Sequence, residues 1–147
     1  MRMIPTGDKG FTVIELLIGA MIVAILGVVA APQFTGLLQR FRLNGAIRVV
    51  WGDLHKARLM AIKENTPMTV NFAGNSYNIT RTVTGQVALQ RNLAQDYPGI
   101  TVSITNNAIT FGSTGTAGGG SQTVQVQSLA GTKSFTVLTT GRIGNVS

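Results

Sequence analysis

A chain of 147 residues without cysteine has room for one small domain beside an N-terminal segment, and excludes disulfides and thiolate metal sites. Twelve Lys and Arg against five Asp and Glu give a formal charge of +7, which favours nucleic acid, anionic lipid or acidic partners without choosing among them. A single histidine and scattered carboxylates leave no metal-ligand cluster and no carboxylate pair for acid–base catalysis.

Residues 1–10 read as a short polar leader that holds Arg2, Asp8 and Lys9. From Phe11 the chain turns apolar, and no charged side chain stands between Leu16 and Gln39. At about 1.5 Å rise per residue, a helix over that run matches or exceeds the ~30 Å hydrocarbon thickness of a bilayer. One carboxylate, Glu15, sits just inside its start. An ionisable group at membrane depth costs about 3 kcal/mol on insertion scales, so its presence points to function. A cut after Gly10 would leave Phe11 with a free α-amino group about one helical turn from Glu15, and the amine of a neighbouring copy is the natural partner for that carboxylate. The small residues Gly19, Ala20, Ala24, Gly27, Ala30 and Ala31 suit close helix–helix approach.

A plain signal anchor explains the apolar run but not the Gly10-Phe11 junction or Glu15. A secretory signal cut near Ala30 or Ala31 conflicts with Pro32 and with the length of the run. Arg2 and Lys9 place the leader on the cytoplasmic side, whereas Arg40, Arg42 and Arg48 argue the reverse, so charge alone leaves orientation open.

Pro32 removes a ladder hydrogen bond and predicts a kink, with Gly36 adding freedom nearby. The helix is expected to run on to about Asn65. Its second half is amphipathic through Phe34, Leu38, Phe41, Ile47, Val50, Trp51, Leu54, Ala57 and Ala61, a stripe suited to packing on a sheet. At that periodicity Trp51 is a core residue, and His55 a surface residue of the helix. Asn65-Thr66-Pro67 ends the helix.

Strands follow. Met68 to Phe72 and Ser76 to Val83 form a hairpin around Ala73-Gly74-Asn75, and Gln86 to Arg91 a third strand. Asp96 to Gly99 is a loop. Ile100 to Ile104 and Ala108 to Phe111 are expected to pair about an Asn106-Asn107 turn. Gly112 to Ser121 is a glycine-rich, flexible connection. Thr123 to Leu129 and Ser134 to Leu138 form a last hairpin around Ala130-Gly131-Thr132. The architecture is α+β, a long N-terminal helix, membrane-spanning in its first half, packed on an antiparallel β-sheet domain.

The run Lys9-Gly10, Phe11-Thr12, Glu15-Leu16-Leu17-Ile18 and Pro32 resembles the leader and N-terminal helix of type IV pilins and type II secretion pseudopilins. The resemblance implies a leader at 1–10 cut by a prepilin peptidase between Gly10 and Phe11, and N-methylation of Phe11. It implies an assembly and transmembrane helix at 11–39, with Glu15 and Pro32 as assembly residues, and an amphipathic helix with a periplasmic β domain at 40–147. It also implies single-pass anchoring in inner-membrane lipid and polymerisation with other pilin or pseudopilin subunits. Further on, Trp51-Gly52-Asp53-Leu54, Ala57-Arg58, Ala61, Ile109-Thr110-Phe111 before Gly115, and Thr140-Gly141-Arg142-Ile143 are similar to the GspH/FimT branch of minor pilins and pseudopilins. The pilin fold that this implies agrees with the α+β reading.

No cofactor, metal site or catalytic residue is expected. The glycines from Gly112 to Gly120 lack the Lys-Ser/Thr and the following helix of a phosphate-binding loop. The alternative to a structural subunit is DNA capture during uptake. Some FimT-like pilins bind DNA through a C-terminal Gly-Arg-x-Arg, of which Gly141-Arg142-Ile143-Gly144 keeps one arginine. Arg142, Lys133, Arg81 and Arg91 are the candidate phosphate contacts.

Overall fold

The computed structural model describes residues 10–147, apart from the side chains of 29–32, so the leader residues 1–9 lie outside the described residues. The chain divides into two units, Met1–Thr35 and Gly36–Ser147. One helix, α1 (Val13–Lys63), contributes to both. Its assignment is continuous through Pro32, and the kink expected there falls on residues whose side chains are outside the described ones. Among the described residues no single helix is long and apolar enough to cross a membrane, while the segments Val13–Val28 and Gln33–Lys63 meet that test taken together.

Both ends of α1 are written locally. At the start the Thr12 carbonyl accepts from the Leu16 amide at 3.2 Å, and the Thr12 hydroxyl accepts from the Glu15 amide at 3.3 Å. Thr12 is thus the N-cap. At the end Asn65 takes a left-handed backbone with φ of 47°. The Thr66 amide returns to the Ala61 carbonyl at 3.1 Å and that of Asn65 to Ile62 at 3.3 Å. This paired closure satisfies two orphan carbonyls, and Pro67 then prevents continuation.

In the second unit α1 buries Leu43, Ala46, Ile47, Val50, Leu54, Ala57 and Ala61, spaced by three and four. The stripe therefore starts at Leu43. Phe34, Leu38 and Phe41, expected to belong to it, are exposed, and none of them joins the buried core or packs against it.

Eight strands follow: β1 (Met68–Ala73), β2 (Ser76–Arg81), β3 (Val87–Asn92), β4 (Thr101–Ile104), β5 (Ala108–Phe111), β6 (Ala117–Gly118), β7 (Gln122–Ser128) and β8 (Gly131–Val137). A four-residue helix, α2 (Leu93–Asp96), precedes the loop expected at Asp96 to Gly99 and takes in its first residue; the Asn92 side chain caps it by accepting from the Ala94 and Gln95 amides. The strands make two antiparallel sheets, ordered β3-β2-β1-β5-β6 and β4-β7-β8. Register lines up the buried row Ile79, Val70, Ile109 across the first sheet, with Met68 opposite Phe111 beside it. In the second sheet Val102 stands opposite Val126, and Val124 opposite Phe135. These rows and the α1 stripe form one apolar core.

Two expectations about the strands also need correction. Ile100 to Ile104 and Ala108 to Phe111 are not a hairpin; β4 joins β7 and β5 joins β1. The connection between them serves both sheets, since the Thr105 amide donates to Thr123 at 3.3 Å and the Asn107 carbonyl accepts from Phe72 at 2.8 Å. The glycine-rich stretch is more than a flexible connection, because it contains β6. Ala117 pairs with Phe111 and its amide donates to the Thr139 carbonyl at 2.9 Å, joining the end of the second sheet to the edge of the first.

Candidate functional site

At the start of α1 the residues that the sequence singles out lie side by side. Gly10, Phe11, Thr12 and Glu15 line one open cavity of about 300 Å³. The Glu15 carboxylate turns back on the cap: its Oε2 accepts from the Thr12 amide at 3.0 Å and from the Thr12 hydroxyl at 3.1 Å. Together with the bond from the Glu15 amide to the Thr12 hydroxyl this is a reciprocal capping box, legible in the sequence as Thr followed three residues later by Glu. Both bonds fall on Oε2. Among the described residues no hydrogen bond reaches Oε1, which keeps its acceptor capacity. Apart from Glu15 the segment offers only apolar contact: Phe11 is 89% exposed, and Val13, Leu16, Met21 and Val28 are exposed too.

The four candidate cations do not form one cluster of free charges. Arg81, on β2, holds Glu64 through Nε at 2.7 Å and Nη2 at 3.1 Å. That hydrogen bond keeps the Glu64 carboxyl below its ordinary range and raises the Arg81 guanidinium in turn. Arg91, on β3, reaches Asp53 through Nε at 3.1 Å. Partial burial lowers the Arg91 guanidinium, and the Asp53 carboxylate outweighs that and raises it. Lys133 lies in the other sheet, on β8, and is half-buried. Arg142 is exposed in the tail after β8, and its side chain has no ion pair among the described residues.

Asp53 is the carboxylate that the sequence left unexplained. It is buried on α1 and accepts the Tyr77 hydroxyl at 2.5 Å as well as Arg91, so its charge is paired and hydrogen-bonded where water is excluded. Burial pushes the Tyr77 phenol far above its ordinary 10.0, and the neighbouring carboxylate adds to the shift. No local pattern announces this triad, since it joins α1, β2 and β3.

The conspicuous residues of the C-terminal half also converge. The Trp51 indole donates to the Gly144 carbonyl at 2.9 Å, and the Arg58 Nε to that of Gly115 at 2.9 Å. Trp51 is thus half-buried at the rim rather than inside the core, with its ring centroid 4.0 Å from that of His55. His55, expected at the surface, is half-buried under it, and its Nδ1 lies 3.0 Å from the Trp51 carbonyl oxygen. Gly141 has φ of 75° and backs onto the Gly115 carbonyl so closely that a Cβ there would overlap it. Ile143 is buried and bridges back to Val137. One helix face therefore fastens both the glycine-rich stretch and the tail.

The chain is similar to known proteins in sequence and in fold. The family model described as "Type II transport protein GspH" matches residues 46–141. The structure is similar to that of the type IV minor pilin FimU of Pseudomonas aeruginosa, with a TM-score of 0.61 and 17% identity over 73% of this chain and 90% of that one. It is likewise similar to the minor pseudopilin EpsH from the type 2 secretion system of Vibrio cholerae, with a TM-score of 0.59 and 11% identity over 72% and 96%. No curated protein matches the sequence at a significant level. At these identities the two structures speak for the fold, α+β and pilin-like. The matched span covers most of the chain and holds Trp51, Arg58, Gly115 and Gly141, the residues that fasten the tail, so the chain belongs to the GspH family of type II transport proteins.

Proposed function

We propose that the protein is a minor pilin or pseudopilin subunit, held in the inner membrane by residues 11–39 and polymerised through them with other subunits. The observation that carries this reading is the first segment of α1. From Val13 to Val28 its large apolar side chains are exposed in the isolated chain, with Glu15 the one charge among them. Such a surface needs lipid before assembly and neighbouring helices after it. Prepilin peptidase cuts between Gly10 and Phe11, and the new Phe11 amine is methylated. In the filament the amine of a neighbour takes Glu15 Oε1, the oxygen that the Thr12 cap leaves available. The role is structural, without catalysis, and the second unit faces the periplasm.

Intact-mass and N-terminal peptide measurements on membrane-purified protein test the processing step. The expected mature chain begins at methylated Phe11. A chain beginning at Met1 or at Pro32 in a host with an active peptidase would overturn the reading. DNA capture draws less support, because Arg81 and Arg91 are engaged by Glu64 and Asp53, which leaves Lys133 and Arg142 as the cations for phosphate.

A further inference from the structure

Within the second unit the β7–β8 hairpin and α1 enclose an open cavity of about 280 Å³, lined among others by Arg40, Leu43, Asn44 and Lys133. No carboxylate lines it. Lys133 stands opposite Val126 in the strand register and two residues from Phe135, on the face that turns inward. Its side chain therefore leaves the sheet on the helix side and shares the cavity with Arg40. At the tip of the same hairpin Leu129 is 93% exposed, more than any other large apolar side chain among the described residues. Two unopposed cations thus sit beside an apolar tip. Chain connectivity says where: Arg40 is the first charged residue after the apolar run, and Leu43 follows within one helical turn.

We propose that this face of the β domain is a contact site for an anionic phospholipid surface, with Arg40 and Lys133 on one headgroup phosphate and Leu129 in the interfacial layer beside it. The inference rests on residues 11–39 being a membrane anchor and deepens that reading. Arg40 supplies a planar fork and Lys133 a compact ammonium, a pairing suited to a phosphate diester from two sides. The bilayer is the occupant favoured here because Arg40, which lines the cavity, directly follows residue 39, the last of the proposed anchor. Before assembly the contact would hold the subunit down on the membrane, and extraction into a filament would break it.

The absence of cysteine allows a direct test on the full chain. Leu129→Cys, carrying an environment-sensitive fluorophore, is reconstituted into phosphatidylcholine vesicles with and without phosphatidylglycerol. Insertion is followed separately by resistance to alkaline extraction. The expected result is a label shielded from aqueous quencher only where phosphatidylglycerol is present. Arg40→Ala and Lys133→Ala should each lower the ratio of shielded to exposed label about fivefold. Lys133→Arg should retain the shielding, as should Arg48→Ala, which removes an exposed cation outside the cavity. An inserted chain whose label is equally exposed in both vesicles, or that responds to Arg48→Ala as strongly as to Lys133→Ala, overturns the contact and leaves the anchor standing. A chain extracted by alkali from both vesicles overturns the anchor, and the contact with it.

Discussion

Glu15 does two things that a single truncation cannot separate. It caps α1 through Thr12, and it carries the one charge of the apolar segment. Glutamine can still close a capping box, so Glu15→Gln keeps the first role and loses the second. Membrane insertion should be unchanged or improved in both Glu15→Gln and Glu15→Ala, because either removes the insertion penalty of about 3 kcal/mol. Filament incorporation, measured by shearing and immunoblotting, should be lost in both. Normal incorporation of the glutamine variant would assign Glu15 to capping alone. The Asp53, Tyr77 and Arg91 triad gives a second prediction at this scale. Burial raises the Tyr77 phenol above its ordinary 10.0, so the unfolded chain releases that proton first as pH rises. Its stabilising contribution is complete below pH 10 and is lost above it. Tyr77→Phe should cost about 1–2 kcal/mol near neutrality, since Asp53 loses a buried donor. The same variant should flatten the alkaline limb of stability, followed by urea unfolding at several pH values. A limb as steep as that of the parent chain would show that other groups govern it.

Among elements, the tail after β8 depends on α1 to a degree its length does not suggest. Gly141 combines a left-handed backbone with contact against the Gly115 carbonyl, so any side chain is both strained and obstructed. Gly141→Ala should destabilise the second unit by about 3 kcal/mol, as strain and backbone displacement add. Trp51→Phe keeps most of the ring and removes the donor to Gly144, and about 1 kcal/mol is expected. Thermal unfolding in detergent distinguishes them. Equal, small effects would mean that the tail is held by Ile143 burial rather than by the two helix contacts. Trp51, Arg58, Gly115 and Gly141, remote in sequence, are four parts of one joint.

For the whole molecule, net charge and a phosphate-binding site make different predictions. The +7 charge predicts low-salt attraction to DNA whatever the protein does. A site differs from a field in being sensitive to position. If DNA capture is the function, Arg142→Ala should weaken binding more than Arg48→Ala or Lys56→Ala, in gel shifts repeated across salt concentrations. Equal losses at the three positions would mark an unspecific basic surface. No shift at low salt would leave the filament subunit as the sole function. Arg81→Ala should be the least informative for DNA, since it also releases Glu64.

The sequence by itself determined what depends on neighbours along the chain. The apolar run after Phe11, the stop at Asn65-Thr66-Pro67, and the hairpins at Gly74 and Ala130 all follow from local composition and turn chemistry. The resemblance to the GspH/FimT branch rode on short runs from Trp51 to Ile143, and the family match over 46–141 agrees with it. The tertiary structure decided what depends on distant partners. β4 and β5 read as a hairpin because they are adjacent, yet each finds a better apolar row elsewhere, Val126 for Val102 and Val70 for Ile109. Phe34, Leu38 and Phe41 keep the helical period but are exposed, so periodicity alone overstated the stripe. Arg91 and Arg81 looked free in the sequence and are answered by Asp53 and Glu64, 38 and 17 residues away. Whether a charge is available to a partner is set by what folds against it, and that is not a property of the residues beside it in the chain.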